Sequence, residues 1–244
     1  MVVGLCAVGF KSRDIVYNKN RIIELIHKYS GKLDLLFFGE TFLQGFDSPS
    51  WNYEEDKLIA IGNDDPIINE IKEKAKECSI AVSFGYIERC EDSLYSSQMT
   101  INKNGEIIDV FHRVSIGWKE KIADYHYKEG NDFHLFKLNG KSFAIGLCGD
   151  MWDDGNIKKM KDLKPDIVLW PVYLDYNYNE WNNEVKYDYA HQSSIFANKV
   201  LCVNSVCLDK DEIDTAKGGA IYFENGIIKY EIPAGKENVL IVEL

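Results

Sequence analysis

Three times this chain sets Asn-Gly near the join of two apolar-rich runs, at Asn104-Gly105, Asn139-Gly140 and Asn225-Gly226. Both residues tolerate the positive φ that a tight hairpin turn demands, so each site predicts a pair of antiparallel strands. Other apolar runs are joined differently. Leu35-Leu36-Phe37-Phe38 and Asp166 to Trp170 are short and read as strands covered on both faces, as does Val2 to Phe10. Asn18 to Tyr29 carries Ile22, Ile23, Leu25 and Ile26 on a helical period, with Asn18 the expected cap. Asp65-Pro66 opens a second helix, in which Ile67, Ile68, Ile71, Ala75 and Cys78 share a face. Glu180 to Asn198 is the longest helical stretch, followed by a strand at Val200 to Val206. Hairpins mixed with strand–helix–strand units imply an α/β fold, with a mixed sheet or a pair of sheets and helices outside.

The 244 residues, 45% of them hydrophobic, suffice for one core, and no linker-like stretch divides them. One domain over residues 1–244 is the expectation. The net charge of −11 repels phosphate backbones, which argues against a nucleic-acid partner. No run approaches the roughly 20 apolar residues of a membrane span. Met1 to Phe10 lacks a basic start and a small-residue cleavage site, so it reads as a strand, and a cytoplasmic location is expected.

Six cysteines without a Cys-x-x-Cys pair support neither a zinc ribbon nor a disulfide framework; Cys6 and Cys202 read as small buried hydrophobes. His112, His126, His134 and His191 show no ligand spacing, so no metal is expected. Asp209 to Asp214, four acids with one Lys and one Ile, reads as a solvated loop.

Three polar residues closely follow apolar strands. Glu40 follows Leu35–Phe38, Arg113 follows Glu106–Phe111, and Cys148 follows Ser142–Leu147. Strand ends fix a side chain while leaving it accessible, which favours catalysis there. Cys148 lies in Gly146-Leu147-Cys148-Gly149-Asp150, where glycines permit the sharp turn a nucleophile needs. Taken alone, this pattern equally fits a buried core cysteine. Glu40 lies among Phe37, Phe38, Phe42 and Phe46, where desolvation suits a general base; it equally fits a solvated or capping Glu.

The ordered set resembles the nitrilase, or carbon–nitrogen hydrolase, superfamily. Phe38-Gly39-Glu40-Thr41-Phe42-Leu43-Gln44-Gly45-Phe46 is similar to its first motif and Gly146 to Trp152 to its third. Tyr127-Lys128-Glu129-Gly130-Asn131, Trp170-Pro171, Phe196-Ala197-Asn198 and Lys217-Gly218-Gly219-Ala220 resemble supporting segments, so the likeness runs from Val2 to Leu244. It implies a four-layer αββα sandwich and a Glu-Lys-Cys triad needing no metal and no organic cofactor. Glu40 would be the base and Cys148 the nucleophile, cleaving an amide or N-carbamoyl group of a small molecule through a thioester. The resemblance also implies a homo-oligomer, a dimer or larger, and puts Gly149, Trp152 and Trp170 beside the substrate.

Two departures stand out. The second motif is Phe111-His112-Arg113-Val114-Ser115, so the usual Lys is Arg113 and the usual His is Ser115. A guanidinium keeps the charge but does not readily give up a proton. Lys119 is a further candidate cation. The family's second carboxylate aligns with Ala123, leaving Asp124 or Glu120 to replace it. These departures keep open a second possibility, a catalytically impaired member that binds a ligand or partner. A Cys-His hydrolase of another type is a third, without a local motif to support it.

Overall fold

The computed structural model describes residues 1–209 and 215–244. Residues 210–214 of the acidic run lie outside the described residues. In chain order, β1 (Val2–Ala7) and β2 (Gly9–Phe10) precede α1 (Ile15–Tyr29), β3 (Leu35–Phe38), the short α2 (Tyr53–Asp56) and α3 (Pro66–Glu77). An antiparallel run follows: β4 (Ala81–Cys90), β5 (Ser93–Ile101) and β6 (Ile107–His112). Next come β7 (Phe136–Leu138), β8 (Lys141–Ile145), α4 (Asp154–Leu163) and β9 (Ile167–Val172). Then α5 (Tyr178–Glu180) passes through a π-helical turn, Trp181–Val185, into α6 (Lys186–Phe196). The chain finishes with β10 (Lys199–Cys207), β11 (Lys217–Glu224), β12 (Ile227–Ile232) and β13 (Asn238–Glu243). Each Asn-Gly turns a hairpin, with Gly105, Gly140 and Gly226 at φ 77°, 78° and 74°.

Two sheets result. One has the order β13-β1-β3-β4-β5-β6; the other is β12-β11-β10-β9-β8-β7, with β2 added beside β10. Alternation along the strands sorts the core. Val3, Leu5, Leu35 and Phe37 join the cluster shared with the second sheet, which includes Ala144, Leu169 and Val203. Cys6, Leu36 and Phe38 pack instead with Ile22 and Ile26 of α1 and Ile68 and Ile71 of α3. Beyond the second sheet, Trp170 of β9 meets Tyr189 and Phe196 of α6, and Ile157 and Met160 of α4 join the same cluster. The layers are therefore helix, sheet, sheet, helix, the sandwich the sequence led us to expect.

Three local readings need correction. The cap of α1 is Asp14, whose carboxylate accepts from Tyr17 N at 3.0 Å. Asn18 is buried inside the helix because its amide donates to the carbonyls of Lys11 and Leu43 at 2.7 and 2.9 Å. Val2 to Phe10 is two strands, since β1 pairs in one sheet and β2 in the other. The long helix starts at Tyr178 and contains the π turn.

Candidate active site

Glu40, Arg113 and Cys148 lie just past β3, β6 and β8. The turn after β3 presses onto β4 at Gly85, where a Cβ would stand 2.2 Å from Thr41 N, so only glycine lets it close. Leu43 N then donates to Gly85 O at 3.0 Å, and Thr41 is held at φ 45°. Glu40 is thereby driven into the interior, 1% exposed. Its Oε1 accepts from Arg113 Nη1 at 2.8 Å and from Ser96 Oγ at 3.1 Å. Its Oε2 is buried without a hydrogen-bond partner among the described residues.

Arg113 is fixed by its backbone, N–H to Ser96 O at 2.9 Å, and by two of its three side-chain nitrogens. Nε donates to Ser115 Oγ at 2.9 Å and Nη1 to Glu40. Nη2 makes no hydrogen bond among the described residues and lies beside Gly149, where a Cβ would be 2.7 Å away. Burial works against the guanidinium charge, but Glu40, Cys148 and Asp150 more than offset it and raise the pKa further. Lys119 does not reach in: its Nζ binds Tyr127 O and the Glu129 carboxylate, both at 2.7 Å.

Cys148 opens a 3₁₀ turn, Cys148–Trp152, and itself holds φ 44°, which is strained for a residue with a Cβ. Two groups hold that turn. Trp170 Nε1 donates to Cys148 O at 2.9 Å. Asp150 accepts from Leu147 N at 2.9 Å with one oxygen, and from Val114 N and Ser115 N at 3.1 and 2.7 Å with the other. One carboxylate thus ties the cysteine turn to the arginine segment. Burial pushes Asp150 up to about 6, against the Ser115 N–H and Arg113. The thiol is pushed up to about 12, first by burial and then by the charge of Glu40; Arg113 and the backbone of Tyr173 pull the other way. Cys148 is therefore a thiol at neutral pH, and attack requires a base.

Two hollows flank Gly149 and Trp152. One, about 580 Å³, is lined by Cys148, Tyr176, Tyr189, Asp188 and Gln192. The other, about 530 Å³, is lined by Arg113, Ser115, Ile116 and Asn156. The thiol borders the first, and the free guanidinium edge borders the second.

The family model described as carbon-nitrogen hydrolase matches residues 2–244. The chain belongs to the carbon–nitrogen hydrolase family. An (R)-stereoselective amidase from Pseudomonas sp. is 22% identical to it over 245 residues, 100% of this chain and 85% of the amidase. A glutamine-dependent NAD(+) synthetase from Aquifex aeolicus is 22% identical over 163 residues, 65% of this chain but 27% of the synthetase. Its fold is also that of the glutamine-dependent NAD+ synthetase from Acinetobacter baumannii (TM-score 0.78, 21% identity, 98% of this chain and 44% of that one). An amidase from Nesterenkonia sp. AN1, whose active-site cysteine carries acrylamide by Michael addition, superposes with TM-score 0.79 at 14% identity, over 100% of this chain and 93% of that one. The chain thus spans less than half of either synthetase and most of either amidase.

In this member of the carbon–nitrogen hydrolase family, Gly149 and Trp152 line both hollows. Trp170 is fully buried and lines neither; it braces the Cys148 carbonyl and stacks on Tyr189 at 5.0 Å between ring centroids. Its place is behind the Cys148 turn, outside both hollows. Asp124 and Glu120 are exposed and line neither hollow, and the Asp124 carboxylate accepts from His126 N and faces Nδ1, each at 2.9 Å. Their loop is anchored elsewhere, by Trp118 and Tyr127 in a small cluster with Ala60, Ile87 and Leu94, against which Ala123 packs. Among the described residues, no group of three or more His, Cys, Asp or Glu side chains is arranged to hold a metal ion. No helix there is long and apolar enough to cross a membrane.

Sequence reasoning gave no role to Asp150, Ser115 or Tyr189. The Cys-x-Asp spacing is a usable signal for Asp150, because a carboxylate two residues into a turn meets the turn's free N–H groups. For Tyr189 no local signal exists.

Proposed function

We propose that this carbon–nitrogen hydrolase acts as one catalytic unit on a non-peptide C–N bond, an amide or N-carbamoyl group of a small molecule, releasing ammonia or an amine. The observation that carries the reading is the division of Arg113. Two nitrogens brace it on Glu40 and Ser115, while Nη2 stays free beside the residue that follows the nucleophile.

In this mechanism the Cys148 sulfur attacks the carbonyl carbon as Glu40 takes the thiol proton. The carbonyl π pair moves to oxygen, and Arg113 Nη2 donates to that oxyanion; one such donor contributes about 10²–10³ in rate. The C–N bond breaks as the departing nitrogen takes the proton from Glu40, leaving a thioester. Water then adds, giving a proton to Glu40, and the sulfur leaves and recovers it. Arg113 keeps its protons throughout, so proton traffic runs through Glu40 alone. The unpartnered Oε2 of Glu40 supports this role.

A second reading, a binder without turnover, draws on the same Arg113 and on the strongly held thiol proton. The test is ammonia release across a panel of primary amides and N-carbamoyl compounds, with intact-mass detection of an acyl adduct under a slow substrate. Release and an adduct present in the wild type and absent in Cys148→Ala are expected. Neither signal in the wild type, with turnover appearing only in Arg113→Lys, would establish the binder. The six cysteines are free, which suits a reducing, cytoplasmic setting, and the exposed Tyr178 and Tyr187 suit a homo-oligomer.

A further inference from the structure

The hollow that Cys148 borders has a chemical character of its own. Its walls are aromatic: Trp152, Tyr176 and Tyr189. Trp152 and Tyr189 meet edge to face at 5.1 Å between centroids, which fixes one corner, while Tyr176 stands partly in solvent. Asp188, in the first turn of α6, lines the same wall. Its carboxylate is exposed and has no hydrogen bond or ion pair among the described residues. The Tyr176 phenol is pushed up by burial and then by Glu180, Asp175, Cys148 and Asp188, so three carboxylates act on one point of the wall. Among the described residues, the only basic side chain lining this hollow is His191. The guanidinium of Arg113 borders the other hollow and is matched by Glu40.

We infer that the substrate carries a positive charge on its non-reacting end, an alkylammonium group, which Asp188 and the faces of Trp152, Tyr176 and Tyr189 receive. This rests on the reading of Cys148 as nucleophile. Aromatic faces attract ammonium groups through their quadrupole, and a cleft of one charge sign concentrates the opposite ion. A volume of about 580 Å³ accommodates a small linear molecule with its carbonyl at Cys148. A carboxylate-bearing substrate would instead face Asp188, with His191 as its one basic neighbour among the described residues that line the hollow.

The test compares kcat/KM for three amides of one length: hexanamide, the isostere with its terminal methyl replaced by ammonium, and the isostere ending in carboxylate. In parallel, pentylammonium and pentanol are titrated into Cys148→Ala protein, read by tryptophan fluorescence. The ammonium amide should lead hexanamide by about tenfold and the carboxylate by more. In Asp188→Asn the ratio of ammonium amide to hexanamide should collapse toward one. Turnover of all three amides without an ammonium preference, or a preference unchanged by Asp188→Asn, overturns the inference and leaves the hydrolase reading standing. Pentylammonium binding that is selective and weakened by the Asp188→Asn change, with no turnover of any amide, upholds cation recognition and overturns the hydrolase reading. Neither turnover nor selective binding overturns both.

Discussion

Arg113→Met isolates the central contact of the site. Methionine matches the aliphatic stem and deletes the guanidinium. The Glu40 side chain is 0% exposed and Arg113 4%, at 2.8 Å, so the pair is almost wholly out of water. Removing one partner leaves the Glu40 carboxylate with Ser96 Oγ at 3.1 Å and no partner at all for Oε2. Stranding a buried charge in this way costs about 3–5 kcal/mol. With a urea slope of about 2 kcal/mol per M, the midpoint should fall by about 2 M. Glu40→Gln on the Arg113→Met background removes the stranded charge, so the double variant should recover much of the loss. The expected interaction energy is about 2–3 kcal/mol. Urea denaturation of the four proteins, followed by tryptophan fluorescence at pH 7, measures it. An Arg113→Met protein within about 1 kcal/mol of wild type, or strictly additive losses in the double variant, would refute the buried pairing.

Two further outcomes concern the chemistry. With the thiol at about 12, iodoacetamide labelling of Cys148, read on its own peptide by mass spectrometry, should rise about tenfold per pH unit from pH 7 to 10 without a plateau. Because the Glu40 charge raises the thiol, Glu40→Gln should shift that profile to lower pH while amide turnover falls by about 10² or more; labelling and turnover moving together would contradict the base assignment. Gly149→Ala adds a Cβ 2.7 Å from Arg113 Nη2 and 3.2 Å from Ser115 Oγ. The guanidinium is held at Glu40 and Ser115 and has little room to retreat, so kcat should drop about 10²–10³ with the fold kept. Wild-type turnover in Gly149→Ala would remove Nη2 from the reaction.

What the sequence made legible was what local chemistry determines. Asn139-Gly140 and Asn225-Gly226 turn hairpins because both residues of each pair sit at positive φ, and Leu35–Phe38 is a strand packed on both faces because nothing in it suits water. Glu40, Arg113 and Cys148 were singled out because each trails such a strand. The misplacements have tertiary causes. Asp124 and Glu120 were put near the substrate by register, but Trp118 and Tyr127 set where that loop lies. Asn18 has the chemistry of a cap, yet the carbonyls of residues 11 and 43 need its amide inside the helix. The apolar run ending at Trp170 reported its burial; its bond to the Cys148 carbonyl depends on a turn 22 residues away in sequence.

The departures at positions 113 and 115 show the same limit most clearly. Taken singly, a Lys-to-Arg change and a His-to-Ser change read as two losses. Together they form one arrangement. A lysine has a single nitrogen to share between Glu40 and an oxyanion, whereas the guanidinium presents three at fixed angles. Ser115 is short enough to sit under the fork and accept from Nε at 2.9 Å, while its own N–H goes to Asp150 at 2.7 Å. With Nε and Nη1 committed, the plane of the guanidinium is set, and Nη2 is aimed at the edge of the Cys148 turn without further support. Ser115 therefore orients the cation, and Asp150 holds both Ser115 and the Cys148 turn in one register. A larger side chain at 115 would have to displace that guanidinium before it could reach any substrate.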